Sequence, residues 1–296
     1  MLLNAGCQYK SMKSIGLNMN SPLHTAVELE NMDCINVLLG ADVSISCLNY
    51  IGETPLHVCV RKKLEEPLQA KDGETPIHTA ATLGNLDVLN EILSLAKQKD
   101  FIDYKDEEGE TPLVKSIVNG HFTCVEALLN EGASLKVIMP GNVNVLHVAA
   151  DHGHLNILKL LLEYDNGIAE DMINDLTTPD RRGFGPIHFT VLNNHVECLQ
   201  FLISKKADIR LRTTSSPHKS STPLHLAAVK NFVNIAKVIL SSDRTTIHEV
   251  NSIGWYPLHT AGHHGSRDII VILLQEGGDL SGYTDGPKKY RRTAID

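Results

Sequence analysis

Apolar residues recur along the chain in a fixed order, as a short block of small residues, a break, and a longer block with a helical period. Around residue 75, the short block is IHTAATL, and Gly84 interrupts the pattern. The longer block then has leucine or isoleucine at positions 86, 89, 92 and 93, which lie on one face of a helix. The same order returns in HVAADHGHLNILKLLLEY and in HLAAVKNFVNIAKVILSS. The pattern predicts a series of helix pairs, each with a short first helix and a longer second helix.

A short anchor motif, TPLH or a near copy of it, precedes most of these pairs. The nine copies begin at Ser21, Thr54, Thr75, Thr111, Asn144, Gly185, Thr222, Tyr256 and Thr293. The spacings between them run from 21 to 41 residues, and most lie between 33 and 37. A repeat of this period is typical of a solenoid, in which each unit packs against its neighbours.

The anchor motif predicts its own local structure. Thr75 is a good helix N-cap, and Pro76 follows at a position where a missing N–H has no cost. His78 stands three residues after the cap, where its ring can return a hydrogen bond as Glu or Gln does in a capping box. The sequence therefore predicts that each first helix begins at its anchor.

These residues resemble those of the ankyrin-repeat family, whose repeat of ~33 residues has a T-P-L-H-x-A signature. The resemblance covers residues 1–296 as one ankyrin-repeat domain of about eight units. It implies an all-α solenoid of stacked helix-turn-helix units with projecting β-turn or hairpin loops. It also implies a protein–protein interaction module or scaffold that binds a partner through its concave surface and loop tips. The alternative is a regulatory or assembly domain of a larger enzyme or ion channel.

Several departures from the repeat stand out. The unit over residues 54–74 is too short for two helices, and Pro67 would break the second one. It is either a natural irregularity or a place where a segment has been lost. Three other units have long insertions, which such arrays place in loops. Both ends of the chain stop inside a repeat, so we expect a fragment of a longer array or multidomain protein, with possible intramolecular contacts to the missing domains.

Charge argues against nucleic acid as a partner. The net charge is −8, and residues 1–150, with 11 Lys/Arg and 19 Asp/Glu, account for all of it. An acidic surface repels phosphates, so we expect protein partners and no nucleic acid. No apolar stretch approaches the ~20 residues needed to span a bilayer, so no membrane insertion is expected.

The cysteines favour a reduced, intracellular protein, which we expect to be cytoplasmic. Cys34, Cys124 and Cys198 each lie 13 residues after an anchor, which is a single position in the repeat. We expect all three on the buried side of the second helix, as small apolar thiols and not as disulfides. No C-x-x-C pair occurs.

No catalytic, cofactor-binding or metal-binding residues are predicted, and we expect no enzyme activity from these residues. Of the 15 histidines, seven belong to anchors, one per unit, and so do not converge on a common site. The pairs at residues 152 and 154 and at residues 263 and 264 lack the cysteine or carboxylate company of a zinc site. No nucleotide-binding or hydrolase motif is present.

The candidate contact residues are those that vary on this constant frame. Phe184 and Trp255 precede anchors at positions where other units have glutamate, and exposed aromatics there would be natural hot spots. The alternative is that these rings pack against a neighbouring loop. The exposed side of the first helices adds a second group of candidates, which includes Arg61, Lys62, Asp151, His152, Asn193, Lys230, His263 and His264.

Overall fold

The computed structural model describes a chain of helices and turns. Its described residues are 20–29, 31–41, 43, 49, 55, 58, 74–95, 102–164, 168–178, 183–214 and 220–279. These residues include one isolated β-bridge, between Met139 and Val143, and no strand. The chain forms two compact units, Met1–Ser134 and Leu135–Asp296.

In the first unit, the described helices form three pairs, and the first member of each pair begins at a proline after an anchor cap. The helices are α1 (Pro22–Glu28), α2 (Met32–Gly40), α3 (Pro76–Leu83), α4 (Leu86–Leu95), α5 (Pro112–Val118) and α6 (Phe122–Asn130). Helix α3 packs against α5, and α4 packs against α6, so first helices meet first helices and second helices meet second helices.

In the second unit, four described helix pairs follow the same plan. They are α7 (Val145–His152) and α8 (Leu155–Tyr164), α10 (Pro186–Leu192) and α11 (Val196–Ser204), α12 (Pro223–Lys230) and α13 (Val233–Ser242), and α14 (Pro257–His264) and α15 (Arg267–Gln275). A one-turn helix, α9 (Ile168–Asp171), forms within the first insertion, and a 3₁₀ helix spans Arg244–His248. The predicted all-α fold of paired helices is confirmed.

The core of the second unit lies between the two rows of helices. The first helices stack in the order α7, α10, α12, α14, and the second helices in the order α8, α11, α13, α15. Leu146, Leu158 and Leu199 are fully buried between them. Burial of each such side chain stabilises the fold by roughly 1.5–3 kcal/mol, and packing within each repeat and between adjacent repeats both contribute.

The predicted capping box is present at described anchors that have the histidine, such as Thr75 and Asn144, but not at Thr111, where Val114 takes its place. The ring of His78 accepts the backbone N–H of Thr75 through Nδ1 at 3.2 Å, and its Nδ1 lies 2.8 Å from the Thr75 hydroxyl oxygen. Asn144 and His147 make the reciprocal pair, with both backbone N–H groups bonded to side-chain atoms at 3.1–3.2 Å. Each first helix therefore begins at its anchor, as predicted.

The other ring nitrogen of His78, His147, His188 and His225 reaches into the next repeat. Nε2 of His147 donates to the carbonyl oxygens of Asp175 and Phe184, both at 3.1 Å. Nε2 of His188 donates to Leu211 at 3.0 Å, and Nε2 of His225 donates to Trp255 at 2.8 Å. In His188 and His225, Nδ1 accepts the N–H of the cap residue at 2.9 and 3.3 Å while Nε2 donates, so these rings are neutral and carry their single proton on Nε2.

Burial keeps these rings neutral. It lowers the pKa of His147, His188 and His225 to about 4 each. The hydrogen bonds to backbone carbonyls favour the charged form and raise the pKa, but burial has the larger effect. It also lowers the pKa of His78. A second proton on any of these rings would point an N–H at the backbone N–H of the cap residue.

A second contact between repeats depends on a glycine at the end of a first helix. Gly153 ends α7 with a φ of 72°, and a Cβ there would lie 2.5 Å from the ring of His195. That ring donates from Nε2 to the carbonyl of Asp151 at 3.0 Å. Gly84 and His121 repeat the arrangement in the first unit. The glycine thus permits both the left-handed turn and the close approach of the next repeat.

The prediction that three cysteines share one buried position is wrong for Cys34. Cys124 and Cys198 are buried, and burial raises the pKa of the Cys198 thiol to about 11. Cys34 is exposed. Among the described helices, α2 packs mainly against α1, whereas α6 and α11 also pack against second helices of neighbouring repeats.

Most of the irregular segments lie outside the described residues. Of the short unit over residues 54–74, only Pro55, Val58 and Glu74 are described, so its origin stays open. The middle of the second insertion and residues 280–296 are also outside them.

We predict that Gly153→Ala destabilises the second unit by about 3 kcal/mol. About 1 kcal/mol of this is the cost of a Cβ in the left-handed region, and the rest is displacement of the His195 ring from its hydrogen bond. Gly265→Ala is the matched control, because Gly265 has a φ of 69° and a Cβ there meets no atom within 4 Å. Equal losses in urea unfolding of the two variants would contradict the role of His195.

We also predict that the stability of the array falls as pH drops from about 6.5 to about 4. In that range the unfolded chain binds protons at His147, His188 and His225 that the folded chain does not, which costs about 1.4 kcal/mol per pH unit for each ring. His188→Gln removes one of these groups. It should be less stable than the parent at neutral pH, and the difference should shrink as the solution is acidified. A difference that does not change with pH would contradict a neutral His188.

Candidate functional site

The candidate residues on the second unit lie in one row along the ends of its first helices. We call this the helix-end row, and its members are Asp151, His152, Asn193, Lys230, His263 and His264. Five are exposed, and Asp151 is partly buried. The side-chain amide of Asn193 donates to the carbonyl oxygen of Asp151 at 2.9 Å and to its carboxylate at 2.7 Å. Stacking of the first helices therefore brings residues that are about 40 positions apart to one surface.

The histidines of the row are held in defined orientations. His152 and His264 occupy equivalent positions, and each donates from Nδ1 to the carbonyl one turn earlier, of Val148 and Thr260 respectively, at 3.0 Å. The ring of His263 lies edge-on to that of His264, with 5.0 Å between centroids. With Nδ1 engaged as a donor, Nε2 of these two exposed histidines remains as an acceptor for a partner.

Trp255 joins the loop tips to the helix-end row. Its indole is partly buried and lies 5.0 Å from the ring of His263 at an interplanar angle of 60°. Its carbonyl oxygen accepts the Nε2–H of His225, so the anchor contact positions the tip. The loop tip and the first helix thus form one continuous surface here.

A compact turn, residues 251–255, presents Trp255, and we call it the apolar tip. The Asn251 side chain accepts the backbone N–H groups of Ile253 at 3.1 Å and Trp255 at 3.0 Å. The Asn251 N–H in turn donates to the Trp255 carbonyl at 3.0 Å. The turn leaves Ile253 46% exposed beside Trp255.

The first unit contains the same turn with acidic side chains, over residues 106–110, which we call the acidic tip. The Asp106 carboxylate accepts the N–H groups of Glu108 at 3.0 Å and Glu110 at 2.8 Å. Its own N–H donates to the Glu110 carbonyl at 3.0 Å. One backbone design therefore carries glutamates in one unit, and isoleucine and tryptophan in the other.

Lys115 neutralises part of the acidic tip. Its Nζ lies 2.9 Å from Asp106, 3.0 Å from Glu110 and 3.1 Å from Glu74. Burial alone would lower the pKa of Lys115, but these three bonds outweigh it and raise the pKa. The carboxylates of Asp106, Glu108 and Glu110 lie within 4.8 Å of one another, a grouping that can hold a cation. Here the ammonium group of Lys115 already supplies positive charge to two of them.

The prediction that Phe184 is an exposed tip aromatic is wrong. Its side chain is 1% exposed, and it packs against Phe189 and His188 with centroid distances of 5.8 Å. Its backbone is bonded on both sides, to the Thr177 hydroxyl and to Nε2 of His147. A large apolar ring gains more from this burial than it would from exposure, so Phe184 supports the fold and offers no side-chain surface to a partner.

Arginines and carboxylates pair with one another on the loop side of the second unit. Arg210 bonds to Asp243 at 2.5 Å and to Glu249 at 3.3 Å, and Arg212 also bonds to Glu249. Hydrogen bonds from Thr245 and Arg210 lower the pKa of Asp243. The network ties two successive loops together and pairs Arg210 and Arg212 with carboxylates.

Sequence reasoning found most of this surface but missed two of its parts. The exposed side chain of Ile253 and the bracing side chain of Asn251 were not among the candidates. Alignment of DEEGE with NSIGW, each ending just before an anchor, would have shown both. Arg61 and Lys62 lie outside the described residues, so their roles stay predictions.

Comparison with known proteins agrees with the fold. A family model for ankyrin repeats in three copies matches residues 63–139, 135–213 and 187–285, and a second ankyrin model matches residues 23–63. These matches cover most of the chain. The chain belongs to the ankyrin-repeat family, whose members serve mainly as interaction modules and not as catalysts.

Several curated relatives are much longer proteins. The chain is 26% identical over 231 residues to the chicken (Gallus gallus) nuclear factor NF-kappa-B p105 subunit, a match that covers 77% of this chain and 23% of that protein. It is 29% identical over 210 residues to human SH3 and multiple ankyrin repeat domains protein 2, covering 66% of this chain and 10% of that one. The chain thus spans a quarter or less of these two proteins.

Two solved structures share the fold. The ankyrin repeat domain of Bcl-3, described as a member of the IkappaB protein family, superposes with a TM-score of 0.62 at 23% identity, over 76% of this chain and 98% of that one. The human ASB11 ankyrin repeat domain gives 0.58 at 20% identity, over 88% and 99%. Within the described residues, no helix has the length and apolar character needed to cross a bilayer.

Proposed function

We propose that the second unit binds a protein partner through the apolar tip and the helix-end row, and that Trp255 is the main anchor residue. The edge-on contact of Trp255 with His263 supports this proposal most strongly, because it makes one surface from a loop and a first helix. A tryptophan held on a rigid turn loses little conformational freedom on binding, and tryptophan is enriched among interface hot spots.

The varied residues of the row add specificity to that anchor. Asn193, Lys230 and His264 are equivalent in the repeat, yet they differ in charge and hydrogen-bonding capacity. A constant frame with varied side chains suits recognition of a particular partner, and this supports a role as a scaffold or signalling module. We propose no catalytic role for these residues.

A second proposal is that this array is the regulatory or assembly part of a larger enzyme or channel and binds within its own polypeptide. The chain spans only 23% and 10% of the length of two curated relatives, and this supports the second proposal. We also propose a cytoplasmic location, which the repeat-related spacing of the cysteines supports.

The test is affinity capture with the full 296-residue chain, its Trp255→Ala variant and a Tyr164→Ala control. Tyr164 is an aromatic residue with 38% exposure at the end of the second helix α8, away from the proposed surface. Loss of a hot spot worth about 2 kcal/mol weakens binding roughly 30-fold, so Trp255→Ala should lose partners that the parent and Tyr164→Ala both retain.

Circular dichroism and thermal unfolding of all three chains serve as the folding control. Recovery of the same proteins by a folded Trp255→Ala chain would contradict the proposed role of Trp255.

A further inference from the structure

The helix-end row and the residues beside it leave their positive groups free. Lys230 and Arg267 are both exposed, and neither forms an ion pair or a side-chain hydrogen bond among the described residues. On the loop side of the same unit, by contrast, Arg210 and Arg212 are engaged with carboxylates. Elsewhere in this unit Lys206, which follows α11, and Lys237, on α13, are likewise exposed without an ion pair among the described residues.

The acidic groups on this surface are already bonded. The carboxylate of Asp151 accepts from the Asn193 amide at 2.7 Å, and that of Asp268 accepts from the Asn231 amide at 2.9 Å. A carboxylate that already accepts a hydrogen bond from within the protein attracts an external cation less strongly. These two carboxylates are therefore bonded within the unit, whereas Lys230 and Arg267 are not paired with a carboxylate among the described residues.

The free cations lie at one corner of the second unit. The Asn231 amide bridges to Asp268 and accepts the N–H of Ile269 at 3.3 Å, which holds the end of α12 beside the start of α15. Lys230 precedes Asn231, and Arg267 precedes Asp268. His264, at the end of α14, is the repeat equivalent of Lys230. Two cations and a histidine thus border the same stretch of surface.

The apolar tip is joined to the end of α14 through His263, whose ring lies 5.0 Å from that of Trp255 and 5.0 Å from that of His264. Ile253 is 46% exposed on the apolar tip, and Trp255 lies between that tip and His263. The indole N–H of Trp255 makes no hydrogen bond among the described residues, so it is another available donor. The surface therefore combines apolar area with donors and cations.

We propose that this surface takes an acidic protein segment that also carries a large apolar side chain, which would pack against Ile253 and Trp255 while its carboxylates meet Lys230 and Arg267. This inference rests on the proposed protein-binding function and specifies the chemistry of the partner. Charge complementarity favours an acidic protein over nucleic acid, because two free cations on a chain of net charge −8 are far fewer than a phosphate backbone requires.

The experiment measures binding of short synthetic peptides to the full chain, with the fluorescence of Trp255, its only tryptophan, as the readout. The peptides share a central Leu-Phe pair, flanked by glutamate, by serine or by lysine, and a single-stranded DNA of similar length is a fourth probe. We expect the glutamate peptide to bind most tightly, and its affinity to fall as salt is raised.

Charge reversal identifies the site. The Lys230→Glu and Arg267→Glu double variant should weaken binding of the glutamate peptide about tenfold, since exposed pairs contribute up to about 1 kcal/mol each. Lys237→Glu together with Lys159→Glu is the matched control, because both lysines are exposed on second helices. That control should bind the peptide as the parent does.

Each other outcome overturns the inference. Tighter binding of the lysine or serine peptide, preference for DNA, equal binding by the charge-reversed variant, or no binding of any probe would each do so. Failure here is separable from failure of the proposed function. If Trp255→Ala loses captured partners while charge reversal retains them, the surface binds protein but the acidic partner is wrong.

Discussion

The anchor histidine with its two hydrogen bonds is the interaction on which the rest of the structure depends. One nitrogen accepts the N–H of the cap residue in its own repeat, and the other donates to a carbonyl of the next repeat. The same ring thus begins a helix and links it to its neighbour. This arrangement requires a neutral ring with one particular nitrogen protonated, and burial favours that state.

The surface proposed for binding follows from this link. His225 donates to the carbonyl of Trp255, so the anchor of one repeat sets the position of the aromatic tip in the next. Asn251 holds the turn rigid, and His263 braces the indole from the first helix. The acidic tip in the first unit has the same backbone hydrogen bonds around Asp106. The turn is therefore kept in both units while its exposed side chains differ.

Local features of the sequence predicted the frame well because each depends on residues close together in the chain. The cap at Thr75, the returning bond from His78 and the break at Gly84 are all of this kind. The sequence did not show what covers a side chain from another repeat. Phe184 was expected at the surface but is buried against Phe189, and Cys34 was expected inside but is exposed.

The site was predictable to a similar extent and for the same reason. Positions on the first helices follow from the repeat, so the helix-end row could be named in advance. Which of its charges remain free could not, because the bonds from Asn193 to Asp151 and from Asn231 to Asp268 join residues about 40 positions apart. The free state of Lys230 became visible only when those partners were placed.

The protonation state of His188 tests the central claim most directly. Long-range nitrogen–proton NMR correlation spectra of the full chain distinguish the two neutral tautomers from each other and from the charged ring. We expect His188 to carry its proton on Nε2 at neutral pH and to remain neutral at about pH 5, since its pKa is about 4. A proton on Nδ1, or a ring that is charged at about pH 5 in the folded chain, would contradict the account.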